Sequence, residues 1–378
     1  MPPAPEENED SLTEPTPLRA VHFAEQALLG ALFLEPSRTT EADLEAEHFD
    51  NATHARLFAA MRTVPLPDPE KHRENAGWLA AVYAKARPQA PGLPHTYPHT
   101  LVQACPQPAH APAYAGMIRA DHARRTLRTH AERLARTADD ITLPHRVDAT
   151  VAQADQLGNL LDQLSGQFAP HPGSLPRTPV PPVPAAQAGE EAVDDEQLLL
   201  AAATGSPQTV QTMRWLAPSD FTVPLYGALW GCVTGLVHRG GSVDPVTVLG
   251  EAQQAGLLTG TVTTRGVLGL LSDPHGLPDH WGEKIVRRAL LHRAHTVADR
   301  IVVFTDDPAN TPYQLITGCR RALAEFASLH TRWNRANLPA PTSPAAHSRS
   351  TPPAIRAGPA PAPAPAATVK QHRTGIAR

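Results

Sequence analysis

Lysine is the scarcest charge on this chain. Only Lys71, Lys85, Lys284 and Lys370 occur in 378 residues, and none follows a glycine. A phosphate-binding loop of the form G-x-x-x-x-G-K-[ST] needs that lysine to reach the terminal phosphates, so an ATP-driven motor is excluded from the expectations. Gly256 and Gly260 flank an apolar turn with no lysine after it, and a helix C-cap is expected there instead. Cysteine is limited to Cys105, Cys232 and Cys319. Three scattered thiols make no disulfide framework and fit a reducing cytoplasm. No run approaches the ~18 apolar residues of a membrane span, and no membrane partner is expected. The first 17 residues are acidic and Pro-rich, with no basic start or apolar centre, so they do not read as a signal peptide. Strand alternation and Asn-Gly or Asp-Gly hairpin turns are missing too.

Proline, by contrast, is abundant: 41 residues, mostly in clusters. Pro lacks an N–H and interrupts regular structure, so the clusters mark boundaries. They predict an acidic disordered tail over 1–17, a folded segment over 18–168 and a disordered Pro-rich linker over 169–191. A second folded segment follows over 192–335, then a basic Pro/Ala-rich disordered tail over 336–378. The stretch 170–184 reads as extended chain and as an early site of protease attack. The first tail carries Glu6, Glu7, Glu9, Asp10 and Glu14 and no base. The last carries Arg349, Arg356, Lys370, Arg373 and Arg378 and no acid.

The two folded segments repeat each other. Glu25-Gln26-Ala27-Leu28-Leu29-Gly30 matches Glu196-Gln197-Leu198-Leu199-Leu200-Ala201 at an offset of 171. Phe49 and the run from His54 to Phe58 match Phe221 and the run from Tyr226 to Trp230 at 172. Tyr114 with Ile118 matches Trp281 with Ile285, and Ala131 to Leu134 matches Ala298 to Ile301, both at 167. Leu157 and Leu160 match Leu323 and Phe326 at 166. Apolar residues step by three or four through 281–304 and 312–329, the spacing of one helix face. Asp306-Asp307-Pro308 breaks the chain between these helices and folds them into a hairpin. Asp244-Pro245 opens a further helix, with Asp as N-cap and Pro in the first turn. The expected fold is all-α, with two tandem small helical domains.

The histidines make no metal site by this reading. His95 and His99 are four apart, but Pro98 intervenes and the segment does not read as helix. His292 and His295 share a helix, yet no cysteine pair completes a four-ligand set. Neither a metal nor a cofactor is expected. Glu190, Glu191, Asp194, Asp195 and Glu196 lie at a helix start, where acids suit the dipole. No G-x-S-x-G nucleophile occurs. Cys232, Cys319, Trp230 and Trp281 fall in apolar positions and read as packing residues. Two basic helix faces stand out as a surface for a partner or DNA, carrying Arg124, Arg125 and Arg128 on one and Lys284, Arg287, Arg288 and Arg293 on the other. A solvated helix face is the other reading.

Ala24 to Leu32 resembles the opening helix of the N-terminal domain of DnaB-type replicative helicases, and Phe49 with His54 to Met61 resembles that domain's next helix. In the second copy, Gly241 to Leu249 resembles the family's loop and short helix. The long helices 114–138 and 281–304 stand in the place of the family's helical hairpin. The first copy departs in two ways. It has Pro65-Leu66-Pro67-Asp68-Pro69 where the Asp-Pro helix is due, and a Pro/His-rich insertion near 88–113. A family member normally continues into a motor domain, whereas here a second copy follows, and the stretch after 335 is too short to fold as a motor. The resemblance implies no enzyme activity but a scaffolding or regulatory part in DNA replication, with a replicative helicase, primase or loader as partner and self-association through the hairpins. A basic DNA-binding regulator, or an accessory subunit of a helicase whose motor is on another chain, are the alternatives.

Overall fold

The structure, a computed structural model, describes residues 19–75, 77–182, 189–273 and 275–336. The first tail, 1–17, and residues 337–378 of the second lie outside the described residues, and Ala336 ends the last helix. Among those described, every regular element is a helix. The first copy contains α1 (Ala20–Leu34), α2 (Ala52–Thr63), α3 (Pro69–Glu74), α4 (Gly77–Ala86), α5 (Tyr97–Ala104), α6 (Ala111–Asp139) and α7 (Arg146–Ser165). The second contains α8 (Glu190–Gly205), α9 (Pro207–Thr212), α10 (Pro224–His238), α11 (Pro245–Gln254), α12 (Thr264–Leu271), α13 (Pro278–Asp306) and α14 (Pro312–Ala336). α6 and α13 are both 29 residues long, and their ends keep the offset of 167.

Each lobe is fastened by the same device. The fully buried Glu25 of α1 accepts from the backbone N–H groups of Asp50 (2.5 Å) and Asn51 (3.3 Å), just ahead of α2. The fully buried Glu196 of α8 accepts from Thr222 (2.6 Å) and Val223 (3.1 Å), just ahead of α10. A helix start has orphan N–H groups and a positive dipole end, so a carboxylate is the natural partner. Burial pushes the Glu196 carboxyl up from its ordinary pKa, and these N–H bonds oppose that. Each lobe's core also holds a corresponding tilted aromatic pair, Phe49 with Phe58 and Phe221 with Trp230, at the repeat offset of 172.

Two local expectations are corrected. The first copy does open a helix with Asp-Pro: the Asp68 carboxylate accepts from Glu70 and Lys71 N–H, as Asp244 does from Val246 and Thr247. That helix, α3, spans only six residues, too few to show a sequence period. The insertion also forms helix, α5, which includes His99. Pro98 sits in its first turn, where the missing N–H costs nothing. Gly30 makes room for α5, since a Cβ there would lie 2.1 Å from the Leu101 carbonyl oxygen.

The buried side chains form two clusters, and the division falls inside α6 rather than at the Pro-rich linker. One cluster runs from Val21 to Ile118 and fills the first lobe. The other joins Ala123 to Leu164 with the entire second copy. The most extensive helix packing in the molecule is between α6 and α13, and α7 also packs on α14. The two hairpins therefore pair within one chain as a four-helix bundle. Apolar stripes at helical spacing require a partner surface, and each hairpin finds it on the other.

The linker, expected to be disordered, is fastened over its first half. His171 Nε2 lies 2.7 Å from Thr311 Oγ1, and Gln314 donates to the Gly173 carbonyl. Buried Asn310 accepts from Arg177 N–H (2.7 Å) and donates to Thr178 Oγ1 and the Phe304 carbonyl. Thr178 donates to Asp307, whose carboxyl this bond pulls below the ordinary range. Pro176 packs on Gly318, where a Cβ would come within 2.4 Å of its ring. Extended chain without internal hydrogen bonds leaves its polar groups free for such side chains.

Candidate functional site

α6 and α13 run antiparallel, and their polar contacts follow the repeat. Arg128 of α6 pairs with Asp306 at the end of α13. At the corresponding positions, His295 of α13 lies 3.1 Å from Asp139 at the end of α6. Each of these two side chains also faces a carboxylate one turn along its own helix, Glu132 for Arg128 and Asp299 for His295. The bundle thus has an approximate two-fold relation between its halves.

That relation produces two corresponding clefts. The first, of about 630 Å³, lies where the start of α1, the middle of α6 and the α13–α14 turn meet. Its charged lining is Arg19, Arg124, Arg125 and Arg128 with Asp121 and Asp306. The second, of about 490 Å³, lies where α8, α13 and the α6–α7 turn meet. Arg146, Lys284, Arg287 and Arg288 line it with Asp139, Glu191 and Asp195, together with His292 and His295.

Six of the seven basic residues singled out from the sequence are held in bonds within the chain. Arg124 donates to the carbonyls of Thr305 (2.9 Å), Asp307 (2.7 Å) and Asn310 (2.5 Å), so it caps the end of α13. Burial holds its pKa below the usual guanidinium range. A cation at a helix C-terminus meets both orphan carbonyls and the negative dipole end. Arg125 bonds Asp121 and the His48 carbonyl. Arg128 makes the inter-helix pair described above. Lys284 (3.0 Å) and Arg288 (2.5 Å) both reach Asp195, which is nearly buried, and Lys284 also lies over the Trp281 ring. Arg293 shares Glu325 of α14 with the buried Arg300. Burial opposes ionisation of Glu325, but the two guanidinium partners outweigh it and lower its pKa. Arg287 is the exposed one of the seven.

The acidic partners of these cations, Asp121, Asp195 and Asp306, were invisible as a set, because each lies far along the chain from at least one cation it serves. Glu25 and Glu196 were legible as repeat matches, although their role as caps needs the fold. Among the described residues no group of three or more His, Cys, Asp or Glu could hold a metal ion. Cys319 is packed inside the bundle, where burial pushes its thiol up to about 12. No helix among the described residues is long and apolar enough to cross a membrane.

The family model of the DnaB-like helicase N-terminal domain matches residues 19–120 and, separately, residues 189–274. The matches cover the two lobes and stop before most of α6 and all of α13. No curated protein and no solved structure matches the chain.

Proposed function

We propose that this chain, which belongs to the DnaB-like helicase N-terminal domain family through both of its lobes, is a non-catalytic scaffold or regulator in DNA replication. It acts through protein contacts, with a replicative helicase, primase or loader as the partner class, in the cytoplasm. The observation that carries this reading is the pairing of the two hairpins in cis. A unit that satisfies its own association face holds two related lobes in fixed relation and offers their outer surfaces to other proteins. The alternative of a DNA-binding regulator draws less support, because six of the seven basic residues already serve contacts within the chain.

The reading is tested with the full-length chain and the purified helicase and primase of its host. A complex with either that survives gel filtration at physiological salt is expected, together with no ATP turnover by the chain alone. Arg287→Glu should leave stability within about 0.5 kcal/mol, as surface changes do. Weakened partner binding in that variant would place the second cleft at the contact. Failure to bind either protein, with DNA affinity that falls steeply as salt rises, would replace this reading by the DNA-binding one.

A further inference from the structure

The two clefts correspond in position but differ in which charges are left over. In the first, every guanidinium has a partner within the chain. Arg19 and Arg125 pair with Asp50 and Asp121, Arg128 with Asp306 and Glu132, and Arg124 bonds the carbonyls of the α13–α14 turn. In the second, Lys284 and Arg288 share Asp195, but Arg146 and Arg287 form no hydrogen bond or ion pair with a described residue. The Nη1 of Arg288 is buried without an acceptor, so that wall has a further spare donor. Asp139 lies on His295, which leaves Glu191 alone against Arg146 and Arg287. The turns beside the clefts differ in the same direction. Arg124 and the linker's Thr178 close the α13–α14 turn. At the offset of 167 the place of Arg124 is taken by Leu291, which cannot cap the end of α6. In the α6–α7 turn Asp140 and Thr142 bond each other, no described linker residue hydrogen-bonds to it, and Ile141 is 86% exposed.

We propose, on the reading of this chain as a scaffold that acts through protein contacts, that the second cleft is where an acidic segment of the partner protein docks. Its carboxylates meet Arg146 and Arg287, and a large apolar side chain beside them covers Ile141. A guanidinium presents a planar fork that matches a carboxylate with two parallel hydrogen bonds, so two unpaired arginines on one cleft select such groups. Arg146 is half-buried, where solvent and salt screen a pair less than on open surface. Ile141 and Arg146 stand on the same turn, so the apolar contact and the cation are presented together. A nucleic-acid backbone fits this lining less well. Its evenly repeated phosphates would face Asp139, Glu191 and Asp195 as well as the arginines, whereas a peptide can place its few carboxylates opposite the cations alone.

The test titrates the full chain into a short fluorescein-labelled peptide of glutamates with leucine at every fourth position, and reads anisotropy. Saturable binding is expected, lost when the glutamates are changed to glutamine and weakened when the leucines are changed to serine. Arg146→Ala and Arg287→Ala should each weaken it by up to about fivefold, the range of exposed to half-buried ion pairs. Glu191→Gln, which removes the one unpaired carboxylate of the cleft, should tighten it. Ile141→Ser should weaken binding of the leucine peptide and leave that of the serine peptide unchanged. Arg56→Ala, at an exposed arginine of the first lobe, should change nothing. Absence of peptide binding, or binding that the double variant Arg146→Ala/Arg287→Ala retains, overturns the proposal. So does single-stranded DNA that binds as tightly through the same two arginines, which would assign the cleft to phosphates. A helicase or primase complex that the double variant leaves intact overturns the docking site while the scaffold reading stands. Peptide binding at the cleft without a complex with either protein supports the docking site and removes the helicase and primase as partners.

Discussion

Leu134→Ala separates a bundle formed in cis from two lobes that merely share a chain. Leu134 lies on α6 and is fully buried in the cluster that contains α13, α14 and the rest of the second copy. Its repeat counterpart, Ile301 on α13, is equally buried in the same cluster. Removing a buried leucine side chain to Ala costs about 2–5 kcal/mol. Domain stabilities are ~5–15 kcal/mol in total, so the loss is a large share. With a urea slope of about 3 kcal/mol/M, a mid-range loss moves the midpoint by roughly 1 M. The assay reads the copy that was not mutated. In a Trp78→Phe background every remaining tryptophan (Trp215, Trp230, Trp281 and Trp333) belongs to the second copy. The expected result is a fluorescence midpoint lowered by roughly 1 M although the mutation is in the first copy, and the same at tenfold different protein concentration. A fluorescence midpoint that stays put, while circular dichroism reports loss of the first copy's helices, would refute pairing in cis. A midpoint that rises with concentration would mean that the hairpins pair between chains.

Two further outcomes follow from particular contacts. Asn310→Ala removes the bonds that fasten Arg177 and Thr178 and should make the Arg177–Thr178 bond an early trypsin site, whereas the unmodified chain resists there; equal cutting rates would show that the strap is not held by Asn310. His48 and His122 have rings 4.7 Å apart, and burial lowers both pKa values below the ordinary 6.5. The unfolded chain therefore takes up these protons first, so the stability they allow is present above pH 6.5 and is lost as pH falls through their folded values. The melting temperature should decline from pH 6.5 downward, and His122→Asn should flatten the decline; an unchanged slope would assign the acid sensitivity to other groups.

The sequence by itself determined the local structure and the duplication. Apolar steps of three and four placed α13 and α14, and Pro at a first turn with Asp before it marked α11, because these signals act within one or two turns of a helix. The offsets of 171, 172 and 167 carried the equivalence of the copies, down to Glu25 with Glu196. Where local signals were short they failed: α3 has six residues, and Pro98 concealed the start of α5. What only the tertiary structure decided is which apolar stripe meets which. Two hairpins of the same pattern could pair with each other or with another chain, and periodicity is the same in both cases. The choice is written in contacts such as Arg128 with Asp306, 178 residues apart, and Arg124 with the carbonyls that end α13. Those contacts also decide that six of the seven basic residues singled out from the sequence bind the protein's own backbone and carboxylates. A guanidinium looks alike in sequence whether it is capping a helix or awaiting a partner, because its partner is fixed by the packing of distant elements and not by its neighbours in the chain.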